Sequence, residues 1–123
     1  MGSQDECPTE LDLRRASALA QGGEAGIARQ HARGKLTARE RIARLLDAGS
    51  FHEMGMLAGK GEYDESGAYK SFTPSNSVVG TGALAGRRVV VAADDFTIRG
   101  GSSESAVSDK WVYAERYAHQ MRM

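Results

Sequence analysis

The sequence predicts an α/β chain in which short capped helices lead into a β-hairpin and a final long helix. Three observations carry that expectation. The run Thr37-Ala38-Arg39-Glu40 has the form of a capping box: the Thr37 hydroxyl can accept from the Glu40 N–H while the Glu40 carboxylate reaches back to the Thr37 N–H. Two β-rich runs, residues 78–84 and 88–93, are joined through Ala85-Gly86-Arg87, the pattern of a hairpin. Towards the end, Val107, Trp111, Ala114, Ala118 and Met121 recur at spacings of four and three, which draws one apolar stripe down a helix.

Residues 1–26 read as a flexible polar arm, with a helix-prone stretch at 11–20 carrying Leu11, Leu13 and Leu19. Residues 27–57 read as a helical arm. There, 28–33 permits helix, Gly34-Lys35-Leu36 breaks it, and the capped helix is expected over 38–47 with Ile42, Leu45 and Leu46 as its apolar stripe and Gly49 at its end. A short strand is expected within 50–57. Residues 58–76 mix glycines, charges and Pro74 without a sustained period, and are expected to be loop. Residues 77–123 hold the hairpin and the long helix. Val89-Val90-Val91 is a continuous apolar run, which predicts a strand covered on both faces, inside a sheet packed against helices. The helix should start near Glu104, with Glu104 and Asp109 early and Arg116 and Arg122 late to suit its dipole, and should still be running at Met123. That leaves a βα unit without a later strand, hence an unfinished domain.

A chain of 123 residues allows one modest domain at most. Its 16 basic side chains balance 16 acidic ones, so no net field favours nucleic acid or an anionic membrane, and any anion must be bound locally. Cys7 is the single cysteine and cannot form an internal disulfide, which suits a reducing, cytoplasmic setting. No apolar run approaches the roughly 20 residues that span a bilayer, and the acidic opening lacks the order of a secretory signal.

Few motifs carry chemistry. Gly80-Thr81-Gly82-Ala83-Leu84-Ala85 fits the dinucleotide pattern G-x-G-x-x-A, but a strand follows where a helix N-terminus is needed, so a glycine-bearing hairpin is the better reading. Gly100-Gly101-Ser102-Ser103 precedes a helix; it suits either close approach of backbone to an anionic or thioester ligand, or a turn that needs glycine only for its dihedral angles. In the basic stretch 31–41, Arg33, Lys35 and Arg39 can meet phosphates, or can belong to a solvated face paired as Glu40 is with Arg44. His31, His52 and His119 do not gather at metal-ligand spacing, and HExxH and Cys-x-x-Cys are missing. Asp94 and Asp95 are neighbours on a strand and point to opposite sides, so they cannot serve as one acid–base pair. No Gly-x-Ser-x-Gly elbow supplies an acyl-enzyme nucleophile.

Taken in order, Gly34-Lys35-Leu36-Thr37-Ala38-Arg39-Glu40-Arg41-Ile42, Leu45-Leu46-Asp47-Ala48-Gly49-Ser50-Phe51, Val79-Gly80-Thr81-Gly82 with Gly86-Arg87, and Asp95-Phe96-Thr97-Ile98-Arg99-Gly100-Gly101-Ser102 resemble the start of the carboxyltransferase (beta) subunits of biotin-dependent acyl-CoA carboxylases, the propionyl-CoA and methylcrotonyl-CoA type among them. The resemblance runs from about residue 27 to the end. It implies an incomplete crotonase-like (ClpP/crotonase) spiral domain behind a helical N-terminal arm, and an activity that moves a carboxyl group from carboxybiotin to the α-carbon of an acyl-CoA. In such enzymes paired glycine N–H groups stabilise the enolate, and nothing in this sequence matches those pairs. The resemblance therefore implies no catalytic residue here. It implies acyl-CoA-proximal roles for Gly100, Gly101 and Ser102 and weaker ones for Lys35 and Arg39. The implied partners are acyl-CoA, a biotin carboxylase and a biotin carrier that brings the biotin, and further copies in a hexamer. No metal, nucleic acid or membrane is expected. The rival expectation is a short non-catalytic binding or assembly protein that retains the arm and the first βα unit.

Overall fold

The computed structural model describes residues 7–101 and 107–123. Along the chain run α1 (Glu10–Leu19), α2 (Glu24–Ala32), α3 (Ala38–Leu45), β1 (His52–Met54), β2 (Gly59–Tyr63), β3 (Tyr69–Pro74), β4 (Ser77–Leu84), β5 (Arg87–Asp94), a single 3-10 turn at Arg99–Gly101, and α4 (Ser108–Gln120). Strands β1, β4 and β5 make one antiparallel sheet with β4 in the middle, and β2 and β3 make a separate antiparallel ribbon.

β4 organises the core because side chains on a strand alternate between faces. Val78, paired with Ala93, joins Ile42 and Leu46 of the α3 segment, with Phe51, Val89 and Val91 packed around them. Gly80 and Gly82 share that face. A Cβ on Gly82 would lie 2.5 Å from Leu46 Cδ1, and one on Gly80 would lie 2.6 Å from the Phe51 ring and 2.3 Å from the His52 carbonyl oxygen. The two glycines of the G-x-G pattern thus make room for Leu46, Phe51 and the closely paired β1. Val79 points the other way, towards α4, whose Ala114 is also buried.

The capping box at Thr37 and Glu40 forms, with Glu40 N donating to Thr37 Oγ1 at 3.2 Å. α1 has its own box: Asp12 N donates to Thr9 Oγ1 at 3.2 Å, and the Thr9 hydroxyl and N–H donate to Asp12 Oδ2 at 2.7 and 3.0 Å, two bonds that hold the Asp12 carboxyl below its ordinary range. The hairpin turns over two residues, Ala85 (φ 51) and Gly86 (φ 79), with Leu84 and Arg87 already paired. Both φ values are positive, as the favoured hairpin turn requires. Asp47 secures that turn from outside, accepting from Ala85 N at 2.9 Å and Gly86 N at 2.8 Å.

Several expectations change. Residues 58–76 are not mostly loop but hold β2 and β3. Their stabilising contacts come from far away in sequence: α1 lays Arg14 5.1 Å from the Phe72 ring centre and 5.9 Å from that of Tyr63, and the Tyr63 hydroxyl donates to Glu10 Oε1 at 2.6 Å. α3 ends at Leu45, since Leu46 is extended (φ −88, ψ 155) so that it can enter the core; Gly49 (φ 71) serves the following turn instead. β5 pairs with β4 alone among the described residues and is half-buried, an edge rather than an interior strand. The expected helix start near Glu104 lies outside the described residues, and the described α4 opens at Ser108 behind an extended Val107. α4 does not run on to Met123. It closes with Arg122 at φ 56, Arg122 N donating to His119 O at 3.3 Å and Met123 N to Ala118 O at 2.8 Å, the paired bonds of a Schellman cap. Its buried stripe also differs: Lys110 is 8% exposed, and Trp111 sits at the rim, 37% exposed, with its indole N–H on Ser77 Oγ at 3.1 Å.

Because the obstacle at Gly80 is backbone, Gly80→Ala is expected to cost about 3 kcal/mol of stability, the upper range for overpacking a core. Gly67→Ala, where φ is 85 and nothing lies within 4 Å, should cost only the left-handed strain of about 1 kcal/mol. Urea unfolding of the two variants measures both, and equal losses would contradict the packing account.

Candidate functional site

The loop that leaves β5 is built on a buried carboxylate. Asp95, 1% exposed, accepts from Thr97 N at 2.8 Å and from the Thr97 hydroxyl at 2.5 Å, while its own N–H reaches Asn76 O at 2.6 Å. Thr97 in turn receives Gly22 N at 2.9 Å and fits against Gly22 and Gly26, where an added Cβ would meet it at 1.7 and 3.2 Å. The α1–α2 junction is thereby docked on the end of β5. Ile98 is buried beneath the loop, and Phe96, at 64% exposed, is turned out of it.

After Ile98 the backbone passes through three left-handed residues, Arg99 (φ 47), Gly100 (φ 59) and Gly101 (φ 73). Such φ values favour glycine for want of a Cβ. Gly100 faces open space, and Gly101 lies where a Cβ would touch the Phe96 ring at 3.4 Å. Ser102 is outside the described residues.

Lys35 stands on the α2–α3 turn, which is held by Lys35 N to Gln30 O at 3.1 Å and by Gln30 Nε2 to Leu36 O at 3.2 Å. Opposite it lie Asp94, Phe96 and Thr97, and between them opens a cleft of about 550 Å³ that also takes in Arg33 and Arg41. Lys35 and residues 94, 96 and 97 line this cleft, whereas Gly100 and Gly101 are not among its lining residues. Arg39 does not share that cleft: its guanidinium grips Glu53 of β1 with two bonds of 2.7 and 2.8 Å, and the Glu53 side chain is 7% exposed. Such a bidentate pair is geometrically specific. Glu40 turns towards His31, at 2.6 Å, and this hydrogen bond, with those from Thr37, holds its carboxyl below the ordinary range.

A second hollow, of about 400 Å³ and mainly apolar, lies between β1, β4 and α4, lined by Met54, Val79, Val107 and Tyr113. Lys110 closes one side and donates to the Ser77 carbonyl. Burial pushes the Lys110 ammonium below its ordinary pKa; the Glu53 charge opposes this and Arg39 adds to it. Lys110 and Phe96 escaped the sequence reading. The one signal for Phe96 is a large aromatic next to a turn-forming Asp-Asp pair; for Lys110 there was none, because a lysine inside an apolar stripe reads as solvent-facing.

Among the described residues no group of His, Cys, Asp or Glu side chains is placed to hold a metal ion, and no helix is long and apolar enough to cross a membrane. The cleft brings together three basic side chains, Arg33, Lys35 and Arg41, one carboxylate, Asp94, and the Phe96 ring.

The family model of the carboxyl transferase domain matches residues 29–123, and the chain belongs to that family. The mitochondrial propionyl-CoA carboxylase beta chain of Mus musculus is 47% identical over 102 residues, spanning 81% of this chain and 19% of that protein. The methylmalonyl-CoA carboxyltransferase 12S subunit of Propionibacterium freudenreichii subsp. shermanii is 44% identical over 104 residues, 84% of this chain and 20% of its own. The present chain thus spans about a fifth of the length of these relatives. Among solved structures, a transcarboxylase 12S crystal structure with methylmalonyl-coenzyme A and methylmalonic acid bound superposes with a TM-score of 0.73 at 38% identity, over 91% of this chain and 23% of that one. A single-chain, multi-domain long-chain acyl-CoA carboxylase gives 0.74 at 27% identity, over 99% and 14%. The mixed helix and sheet fold is therefore that of a carboxyltransferase.

Lys110 sets a test in pH. Its folded pKa lies below 10.5, so between the two values the unfolded chain holds the extra proton and stability rises as pH increases. Comparing urea midpoints of wild type and Lys110→Met from pH 8 upwards should show the wild type gaining on the variant. A constant difference would contradict the buried ammonium.

Proposed function

We propose that this chain forms the opening part of an acyl-CoA carboxyltransferase subunit, of the kind that moves a carboxyl group from carboxybiotin to the α-carbon of a short acyl-CoA such as propionyl-CoA. The observation that carries the reading is the match to the carboxyl transferase domain over residues 29–123, which takes in both walls of the cleft. In this reading residues 77–123 begin a crotonase-like spiral whose remaining turns come from further sequence, and residues 27–57 form the arm in front of it.

The chemistry asks for a base or acceptor for the α-proton, donors for the enolate oxygen and a site for carboxybiotin. We assign none of these to the described residues; they contribute binding. Gly100 and Gly101 offer backbone without side chains to the ligand, Ser102 is assigned beside them, and Lys35 supplies a cation. Arg39 acts through Glu53, fixing α3 to β1 and so the turn that carries Lys35. Biotin arrives as a substrate on a carrier domain or partner charged by a biotin carboxylase, and copies of the complete subunit assemble as a hexamer, as the 12S core does.

The test is transfer of ¹⁴C-bicarbonate label into propionyl-CoA in the presence of ATP, biotin carboxylase and biotinylated carrier. The chain by itself is expected to give no acid-stable label. Grafted in place of the matching segment of a propionyl-CoA carboxylase beta chain, it should support transfer within about 100-fold of the parent, the loss that a displacement of about 1 Å can cause. A correctly assembled graft without transfer defeats the proposal, and turnover by the chain alone defeats the assignment of chemistry to further sequence.

A further inference from the structure

The bend between β3 and β4 is polar in sequence, yet Ser75, Asn76 and Ser77 are all buried, Ser77 to 1% exposure. Buried polar groups persist where they are hydrogen-bonded. Ser75 N donates to Ala58 O at 3.0 Å, and Ser77 N donates to Ser75 Oγ at 3.1 Å, which locks the bend. Two segments far along the chain then fasten to it. The Asn76 carbonyl accepts from Asp95 N at 2.6 Å, where the loop after β5 begins. The Ser77 carbonyl accepts from Lys110 Nζ, and the Ser77 hydroxyl accepts from the Trp111 indole N–H at 3.1 Å, in the first turn of α4. Adjacent residues of one bend thus hold both flanks of the segment that carries Gly100 and Gly101.

Lys110 is an expensive residue for simple packing. It is 8% exposed, its stem crosses Gly55, where a Cβ would lie 3.2 Å from Lys110 Cε, and it lines the mainly apolar hollow. The charged groups around it are Glu53, already gripped by Arg39, Arg39 itself, and Asp109 on its own helix. A methionine of similar length would fill the same space without a buried charge. What the ammonium adds is direction: a bond to one carbonyl specifies where α4 begins against β4, which apolar contact alone does not.

We infer that Lys110 and Trp111 are positioning residues for acyl-CoA binding: fastened to Ser77 beside the Asn76–Asp95 bond, they fix the loop that presents Gly100 and Gly101. This rests on the acyl-CoA reading for the identity of the ligand. Neither residue is assigned a contact with the substrate. The need for an anchor lies in the loop's own backbone. Arg99, Gly100 and Gly101 have φ of 47, 59 and 73, and such sparsely populated conformations persist only where the surroundings over-determine them.

Two measurements test the inference. In the chain itself, amide hydrogen exchange read by NMR should be about tenfold faster in Lys110→Met at Thr97 and Gly101, whose N–H groups donate to Asp95 Oδ1 and Ile98 O, the scale of one lost hydrogen bond. The amides of the β2–β3 ribbon should keep their rates. In the grafted beta chain, Lys110→Met should raise the KM for propionyl-CoA about tenfold, with kcat and the KM for the biotinylated carrier unchanged, the pattern of lost binding. Lys110→Arg, which keeps a cationic donor, should recover most of that loss. Ser77→Ala and Trp111→Phe delete the same bond, so each should raise this KM about threefold and the double variant no further. This pair decides the matter by both readouts if Lys110→Met does not fold. Unchanged exchange at Gly101, or equal acceleration throughout the chain, overturns the anchor. A lower kcat at constant KM, or additive effects of the Ser77 and Trp111 changes, overturns the positioning role. A graft that transfers carboxyl groups with a KM indifferent to these variants defeats the inference and leaves the functional reading standing. A graft without transfer defeats that reading, while the exchange rates still decide the anchor.

Discussion

The close approach of α3 and the following turn to β4 is the constraint on which the fold depends. Leu46 and Phe51 reach the sheet only because Gly80 and Gly82 present bare backbone there. Burying a side chain of that size is worth roughly 1.5–3 kcal/mol, and it is available only at this distance. With Leu46 seated, Asp47 falls where its carboxylate closes the Ala85–Gly86 turn, so helix packing and hairpin geometry reinforce each other.

A second clamp transmits that order to the cleft. Asp95 lies just beyond the end of β5, buried, and its bonds to Thr97 make a rigid corner that positions Phe96 and receives Gly22 from the N-terminal helices. The cleft thus has one wall tied to the sheet and another tied to the capped start of α3. Charge follows the same division of labour. Arg39 is consumed by Glu53 in support of the scaffold, whereas Arg33, Lys35 and Arg41 line the cleft without an ion pair among the described residues.

Local signals were legible wherever the interaction they encode is local. The Thr37–Glu40 cap spans three residues and formed as read; the Thr9–Asp12 cap is of the same kind, and its shorter acidic partner escaped notice. The hairpin was legible from its two β-rich runs, although its turn is one residue tighter than the sequence suggested. The β2–β3 ribbon was not, because its strands lack alternation and gain their support from Arg14 and Glu10 in α1, some fifty residues away. Lys110 gave no signal for a similar reason: the carbonyl that accepts from it belongs to Ser77 on β4.

The order of residues alone determined the α/β class, the capped helix, the hairpin and the family resemblance, since each depends on spacing within a short window or on a recognisable run of residues. Tertiary structure decided which basic residues line the cleft, why Gly80 and Gly82 are glycines, and that Phe96 shares that cleft with Lys35. Those facts depend on the distance between segments far apart in the chain, a quantity that packing creates and that no local pattern of residues contains.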